Sequence, residues 1–361
     1  MRALIFPSDG PKIDNPYCDL LYRNMEKLGV APVAFTPLRA IAGRYEIFHL
    51  HWPEYYLSQR FLKAFVGSAG LLLLVQWLRL RGTRIVWTAH NLHSHGRFYP
   101  KVEPWFWWVF TRMLDGFIAL SDASVSRARG EFPGLRSVPS SVIPHGDYRD
   151  CYPATITKAD ARRQLGIPAD GNVLLFFGGI NAYKNVPHLA KTFRRAALDH
   201  ATLVIAGSAS SREDEERLRD AVKGSHNIQL HLRRIPKEEV QVFFAATDLV
   251  VLPFLEIMNS GSAILALSFD RPVLVPARGS LPELQKRVGL DWVSTYTGDL
   301  GVAELAAGLA WSRSTHRDHS PNLKDFDWGR IARETLYVYT QLIDRVSATA
   351  CASSAAGSDG T

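Results

Sequence analysis

Short apolar runs alternate with stretches of helical periodicity along almost the whole chain. In the first half, runs at 3–6, 33–35, 47–51, 84–88, 116–120 and 141–143 read as strands. Residues 19–28, 59–81, 104–114 and 123–131 read as helices. The second half restarts the pattern, with strands at 173–177, 203–206, 228–231, 249–252 and 273–275. Its helices fall at 186–197, 212–223, 237–246, 260–267 and 302–309. Strand–helix alternation of this kind predicts parallel α/β layers. The Pro- and Gly-bearing stretch CYPATITKADARRQLGIPADGN breaks the pattern near Tyr152. The expected organisation is two domains, 1–152 and 153–325, then an amphipathic helix at 326–346. The small, polar residues 347–361 are expected to be disordered.

In open parallel sheets, ligands bind beyond the carboxyl ends of the strands. Two such loops stand out, each joining a buried strand to a helix. The first is LLFFGGINAYKNVPHL (174–189), where Gly178 and Gly179 allow close backbone approach and Lys184 supplies a cation. The second is LVVLPFLEIMNSGSAILALSFDRPVLVP (249–276). Here Asn259 or Ser260 can cap a helix whose first turn is kept open by Gly261, and Glu256 precedes it. Free amides at a helix start attract anions, and a carboxylate suits the vicinal hydroxyls of a sugar. Together the loops predict a site for a phosphate-bearing sugar. The same residues also suit plain helix capping and a solvated lysine.

Charge adds a second theme. The 361 residues carry a formal net charge of +7. Between Tyr56 and Arg112 stand Arg60, Lys63, Arg79, Arg81, Arg84, Arg97, Lys101 and Arg112 against the single acid Glu103. Such a local excess implies an anionic partner. Residues 64–78 are apolar until Gln76, too short a run to span a bilayer. They predict a buried or surface-lying helix with basic ends. Trp105, Trp107 and Trp108 follow in EPWFWWVF, and tryptophans anchor well at a membrane interface. Some of them must fill the core. No aromatic–basic nucleic-acid motif accompanies the charge. The three cysteines show no disulfide or metal spacing, and the N-terminal apolar run is too short for a signal peptide. A cytoplasmic protein lying on the inner membrane face is expected.

The loops resemble the nucleotide-sugar half of GT-B glycosyltransferases, and glycosyltransferase family 4 in particular. Lys184 matches the family's diphosphate lysine, and Glu256 its first glutamate with a one-residue offset. The family's arginine falls on Gly179 and its second glutamate on Leu265. In the first half, HLHWPEYY, WTAHNLHSH, LSD and IPHGDYRDCYP resemble, in order, bacterial exopolysaccharide enzymes of the xanthan-type β-mannosyltransferase group. The resemblance spans about residues 1–345. It implies two Rossmann-like domains facing a central cleft, with the C-terminal helix crossing back to the first. It implies a nucleotide-sugar donor, GDP-mannose among the candidates, a lipid-linked saccharide acceptor and an anionic membrane surface as partners, with no nucleic acid. No metal and no other cofactor are expected, because the spacing of His49, His51, His90, His93 and His95 matches no zinc set. The two departures favour inverting over retaining chemistry, and a catalytically inactive sugar-nucleotide binder is the reading from another class.

An inverting enzyme needs a group to deprotonate the acceptor hydroxyl. His49 and His51 alternate on a strand and so share a face. Glu54 follows beside Trp52, where shelter would raise its pKa. Glu54 and His90 are the candidate bases, with Asp9 behind them. At the family position His90 would contact the donor sugar, and His145 enters the second domain.

Overall fold

The computed structural model describes residues 1–7, 16–93 and 99–356. It divides into two compact units. The first comprises Met1–Gly146 with Phe326–Thr361, and the second Asp147–Asp325. The boundary at Gly146 lies six residues before the expected one, because the second unit takes in the turn at Arg149–Cys151. There the Tyr148 amide donates to Ser268 Oγ at 2.9 Å and Arg149 pairs with Asp270 at 2.9 Å.

The first unit is a six-stranded parallel sheet: β1 (Arg2–Phe6), β2 (Ala31–Ala34), β3 (Ile47–Leu50), β4 (Arg84–Ala89), β5 (Gly116–Ala119) and β6 (Ser140–Val142). Its strand order is β2-β1-β3-β4-β5-β6. The helices are α1 (Tyr17–Glu26), α2 (Pro37–Ala42), α3 (Phe61–Leu80), α4 (Val102–Phe110) and α5 (Asp122–Glu131). The order reverses between β1 and β3, which makes the loop after β3 a switch-point loop.

The second unit begins with α6 (Lys158–Gln164) and repeats the plan. Its elements run β7 (Asn172–Phe177), α7 (Val186–Ala196), β8 (Ala201–Ala206), α8 (Arg212–Val222), β9 (Ile228–His231), α9 (Lys237–Ala246) and β10 (Leu249–Val251). They continue with α10 (Gly261–Ser268), β11 (Val273–Pro276), α11 (Leu281–Val288), β12 (Val293–Tyr296) and α12 (Val302–Ser314). The order β12-β11-β10-β7-β8-β9 puts the switch point between β7 and β10, the two strands that lead into the Lys184 and Glu256 loops. The short strand β12 and the helices α2 and α11 are additions to the elements read from the sequence.

The last helix, α13 (Trp328–Ala356), runs ten residues beyond its expected end at 346. The Ala- and Ser-rich stretch there is compatible with helix. Trp328, Ile331, Ala332, Tyr339 and Leu342 of α13 join Tyr17, Leu21, Tyr22 and Met25 of α1 and strand residues such as Ile5, Ile47 and Val86 in the first unit's core.

α3 is apolar on all sides. Ala64, Ser68, Leu71, Leu72, Val75 and Leu78 are buried. On the other side Leu62, Val66, Leu73, Trp77 and Leu80 are exposed, with Leu62, Leu73 and Leu80 each more than 70% accessible. At about 100° per residue these five fall within roughly 60° of the helix circumference. The α4 aromatics divide in the same way: Phe106, Trp107 and Phe110 are core, while Trp105 and Trp108 are exposed.

Candidate functional site

In the second unit the chain leaves β7 through Gly178, whose φ of +132° is open to glycine. A Cβ there would lie 3.2 Å from both Lys184 Nζ and Ser262 Oγ. The lysine of the first loop and the first turn of α10 therefore converge over one glycine. Ser260 caps α10, accepting from the Ala263 amide at 3.1 Å, so Ser260 rather than Asn259 is the cap. The amides of Gly261 and Ser262 begin the helix with no partner on a preceding turn, at its positive end. Burial pulls the Lys184 ammonium down to about 8. A partly desolvated cation beside a helix start is set up for an oxyanion.

Backbone contacts hold this arrangement. The Leu255 amide donates to Tyr183 O at 2.8 Å, joining the two loops. Gly279, at φ +55°, lets the loop after β11 pass under Ile257, where a Cβ would fall 2.0 Å from the carbonyl oxygen. From that loop Arg278 donates to Leu255 O at 2.7 Å and Gly298 O at 3.1 Å, and pairs with Asp299 at 3.2 Å. Arg278 is a brace that local sequence does not reveal, since its partners lie about 20 residues away. Glu256 is exposed just ahead of α10. Gly179 is open, with Ser208 O at 3.9 Å the nearest atom to a Cβ. Leu265 is buried on α10.

In the first unit, Glu54 lies in the turn Pro53–Ser58 that follows β3, and is 5% exposed. Asn91 donates to its Oε1 at 3.5 Å, and Oε2 has no hydrogen-bond partner. Burial pushes this carboxyl up to about 8, the direction expected from the sequence. His90, just beyond β4, stacks on Trp52 with ring centroids 4.5 Å apart. His49 and His51 do share a face, with ring centroids 4.2 Å apart.

The histidines form one hydrogen-bonded cluster. Thr88 Oγ1 lies 2.7 Å from His49 Nε2, and Tyr339 Oη 2.6 Å from His49 Nδ1. Tyr22 Oη lies 2.8 Å from His49 Nδ1 and 2.6 Å from His51 Nε2. His51 Nδ1 lies 3.1 Å from His90 Nε2. Burial pushes His49 down to about 3 and holds His51 and His90 well below the usual imidazole range, so all three are neutral near pH 7. His145, also buried, donates from Nδ1 to Gly146 O at 2.8 Å and is pulled down to about 4. His93 bridges Glu103 and Glu131, each at 3.4 Å. Asp9 and His95 lie outside the described residues. Among the described residues no group of three or more His, Cys, Asp or Glu is placed to hold a metal ion.

The structure thus assembles two clusters, each at its own sheet's switch point. Lys184, Ser260, Gly261 and Gly178 come together in one. Glu54 and His90 share the loops after β3 and β4 in the other. Tyr22, Thr88 and Tyr339 were not foreseeable as partners, since Tyr339 is 290 residues from His49 in the chain.

Residues 157–286 match the family described as "Glycosyl transferases group 1". The chain is 29% identical over 345 residues to the GDP-mannose:glycolipid 4-beta-D-mannosyltransferase of Xanthomonas campestris pv. campestris. That alignment covers 95% of this chain and 93% of the relative. Among solved structures, sucrose-phosphate synthase from Thermosynechococcus elongatus superposes with a TM-score of 0.69 at 18% identity, covering 95% of this chain and 99% of that one. HepE from Anabaena, solved with UDP-glucose, gives 0.64 at 16% identity, covering 96% and 100%.

Proposed function

We propose that this chain, a glycosyltransferase of GT-B fold, transfers mannose from GDP-mannose to a lipid-linked saccharide, with inversion at the anomeric carbon. The observation that carries the donor site is the meeting of Lys184 Nζ and Ser262 Oγ over Gly178 at the start of α10. The name of the full-length Xanthomonas relative supports the donor and the glycolipid class of acceptor. In the proposed reaction the acceptor oxygen attacks the anomeric carbon while the bond to the diphosphate oxygen breaks. The departing diphosphate gains charge, and the Lys184 ammonium and the first-turn amides of α10 stabilise it. The acceptor's proton passes to the Glu54 carboxylate. Glu256 orients the sugar hydroxyls. Leu265 cannot replace the carboxylate that retaining relatives place there, which favours inversion.

The first unit supplies the place for a lipid-linked acceptor. The outer stripe of α3, with Trp105 and Trp108 of α4 and Leu38 and Ile41 of α2, forms an exposed apolar face. Phe65 of α3 stacks on Trp105 at 6.0 Å, and Trp77 Nε1 donates to Ile41 O at 3.3 Å, so the three helices form one surface. Exposed Arg39, Arg60, Lys63, Arg79 and Arg112 surround it. Arg84 leaves the basic set because it pairs with Asp115 at 3.1 Å. Apolar side chains ringed by cations fit an anionic lipid surface, on the cytoplasmic face where activated sugars are available.

The deciding measurement is transfer from GDP-mannose to a lipid-linked oligosaccharide by the full chain, with the product anomer read by NMR. Lys184→Ala should weaken donor use by about 10- to 100-fold, the value of one hydrogen bond to a charged group. An α-linked product would overturn inversion. Unchanged transfer by Lys184→Ala would remove the donor site, and nucleotide binding without any turnover would favour an inactive binder.

A further inference from the structure

Three serines of the α10 segment do different work. Ser260 spends its hydroxyl as the cap, accepting from the Ala263 amide at 3.1 Å. Ser268 donates back to the carbonyl of Ile264 at 2.7 Å, the usual bond of a serine inside a helix. Ser262, the second residue of α10, has no helical turn before it to supply such a carbonyl. Among the described residues its hydroxyl has no hydrogen-bond partner, and the Lys184 ammonium has neither a hydrogen bond nor an ion pair. Both side chains are half-buried. An ammonium and a hydroxyl thus stand close together with no protein acceptor between them.

The space they share can be located. The point where a Cβ of residue 178 would lie is 3.2 Å from Lys184 Nζ and 3.2 Å from Ser262 Oγ, and among the described residues nothing else comes within 4 Å of it. An oxygen at that point would be within a few tenths of an ångström of hydrogen-bonding distance to both groups. Any side chain at 178 would fill the space. The floor is fixed from behind: the Gly178 amide donates to Ala206 O at 3.0 Å and the Ile180 amide to Ser208 O at 2.8 Å. Gly207, at φ +143°, lets the end of β8 press on Gly178, since a Cβ there would fall 2.1 Å from the Gly178 carbonyl oxygen. An ammonium can only donate, and the positive end of α10 also faces this space. Both favour an anionic oxygen over a sugar hydroxyl, and a phosphoryl oxygen has that charge.

We infer that Ser262 is a donor-binding residue: its hydroxyl and the Lys184 ammonium together hold one phosphoryl group of the nucleotide sugar's diphosphate, with an oxygen seated over Gly178. The inference rests on the donor-site reading above and adds to it a side chain whose hydroxyl helps the lone lysine carry the phosphate charge. It depends on neither the base nor the sugar, because the seat touches only phosphate.

The test is calorimetric titration of the full chain with GDP and with UDP, so the outcome does not depend on finding the acceptor. The variants are compared on whichever nucleotide the wild type binds, so a preference for UDP would correct the donor's identity and leave the same comparison to decide this inference. Ser262→Ala should weaken binding about tenfold or more, the value of one hydrogen bond to a charged group. Ser262→Thr, which keeps the hydroxyl, should retain most of the affinity. Because the two side chains share one phosphoryl group, the double variant Lys184→Ala/Ser262→Ala should lose less than the product of the two single losses. Wild-type affinity in Ser262→Ala beside a clear loss in Lys184→Ala would overturn the role of Ser262 and leave the donor site standing. Equal losses in Ser262→Ala and Ser262→Thr, or single losses that simply multiply, would also overturn it. Wild-type affinity in both single alanine variants would overturn the donor site and this inference together.

Discussion

At the scale of single residues, two titrations set the proposed chemistry. Glu54 works as a base only when ionised, and burial places its pKa near 8. Lys184 binds a diphosphate only when protonated, and it loses its charge near the same value. The ratio kcat/KM should therefore rise about tenfold per pH unit below 8 and fall above it. In kcat the falling limb should move upward, because a bound diphosphate favours the charged lysine. A pH–rate profile on purified protein checks both limbs, and Glu54→Gln should abolish the rising one while lowering kcat by about 10²–10⁴. The raised carboxyl pKa also costs stability as pH climbs from 4.5 toward 8, so Glu54→Gln should melt at a higher temperature than the wild type at pH 9. Gly179 offers a test by addition. Its Cβ position is empty and its φ is not in the left-handed region. Gly179→Arg should fold normally and bind nucleoside diphosphates several-fold more tightly in calorimetry. Most of the cluster around Lys184 was legible in the sequence as a grouping, because Gly178, Lys184, Ser260 and Gly261 lie in two short loops whose strand–loop–helix pattern is local. Arg278, Tyr22, Thr88 and Tyr339 were not, since each acts through a partner brought near only by folding.

At the scale of elements, α3 shows where reading a pattern reaches its limit. Its composition admits a core helix or a surface one, and the structure makes it both, with one apolar stripe inward and one outward. No periodicity distinguishes the two stripes, because both are leucine-rich. The strands were easier to read, since most are continuous apolar runs between helices. The exception was β12, whose sequence VSTY has only two buried residues. The outward stripe leads to a measurement. Burying one leucine side chain is worth about 2 kcal/mol. Replacing Leu62, Leu73 or Leu80 by Ser should therefore lower binding to phosphatidylglycerol vesicles by roughly tenfold or more each in a flotation assay. Replacing Arg79 and Lys63 by Glu should weaken binding to anionic vesicles and flatten its dependence on salt and on lipid charge. Equal flotation of wild type and the leucine variants would rule out this face.

At the scale of the whole molecule, the two units differ in how they bury imidazole. His49, His51, His90 and His145 are the buried histidines among the described residues, and all belong to the first unit. Each has its pKa lowered by burial. A depressed histidine contributes stability that is full above its unfolded value of 6.5 and is lost as pH falls toward the folded value. For His145, at about 4, that loss is roughly 3 kcal/mol. Acid titration should therefore unfold the first unit before the second. Tryptophan emission should report the early step, since Trp87, Trp107 and Trp328 lie in the first unit's core. A single coincident transition by fluorescence and circular dichroism would contradict this order.

The return of the last helix to the first unit also bears on how the protein is made. Residues 147–325 emerge from the ribosome as one uninterrupted piece and can fold when complete. The strands of the first unit are synthesised earlier, but its core lacks Trp328, Ile331 and Tyr339 until translation has passed Tyr339. Until then its core is open, and the histidine chain has no Tyr339 to close it. A chain halted between Asp325 and Trp328 would carry a complete second unit and an open first one. Under the proposed function, such a chain would bind the nucleotide sugar while the surroundings of the base are still unfinished, and so would hold the donor without spending it.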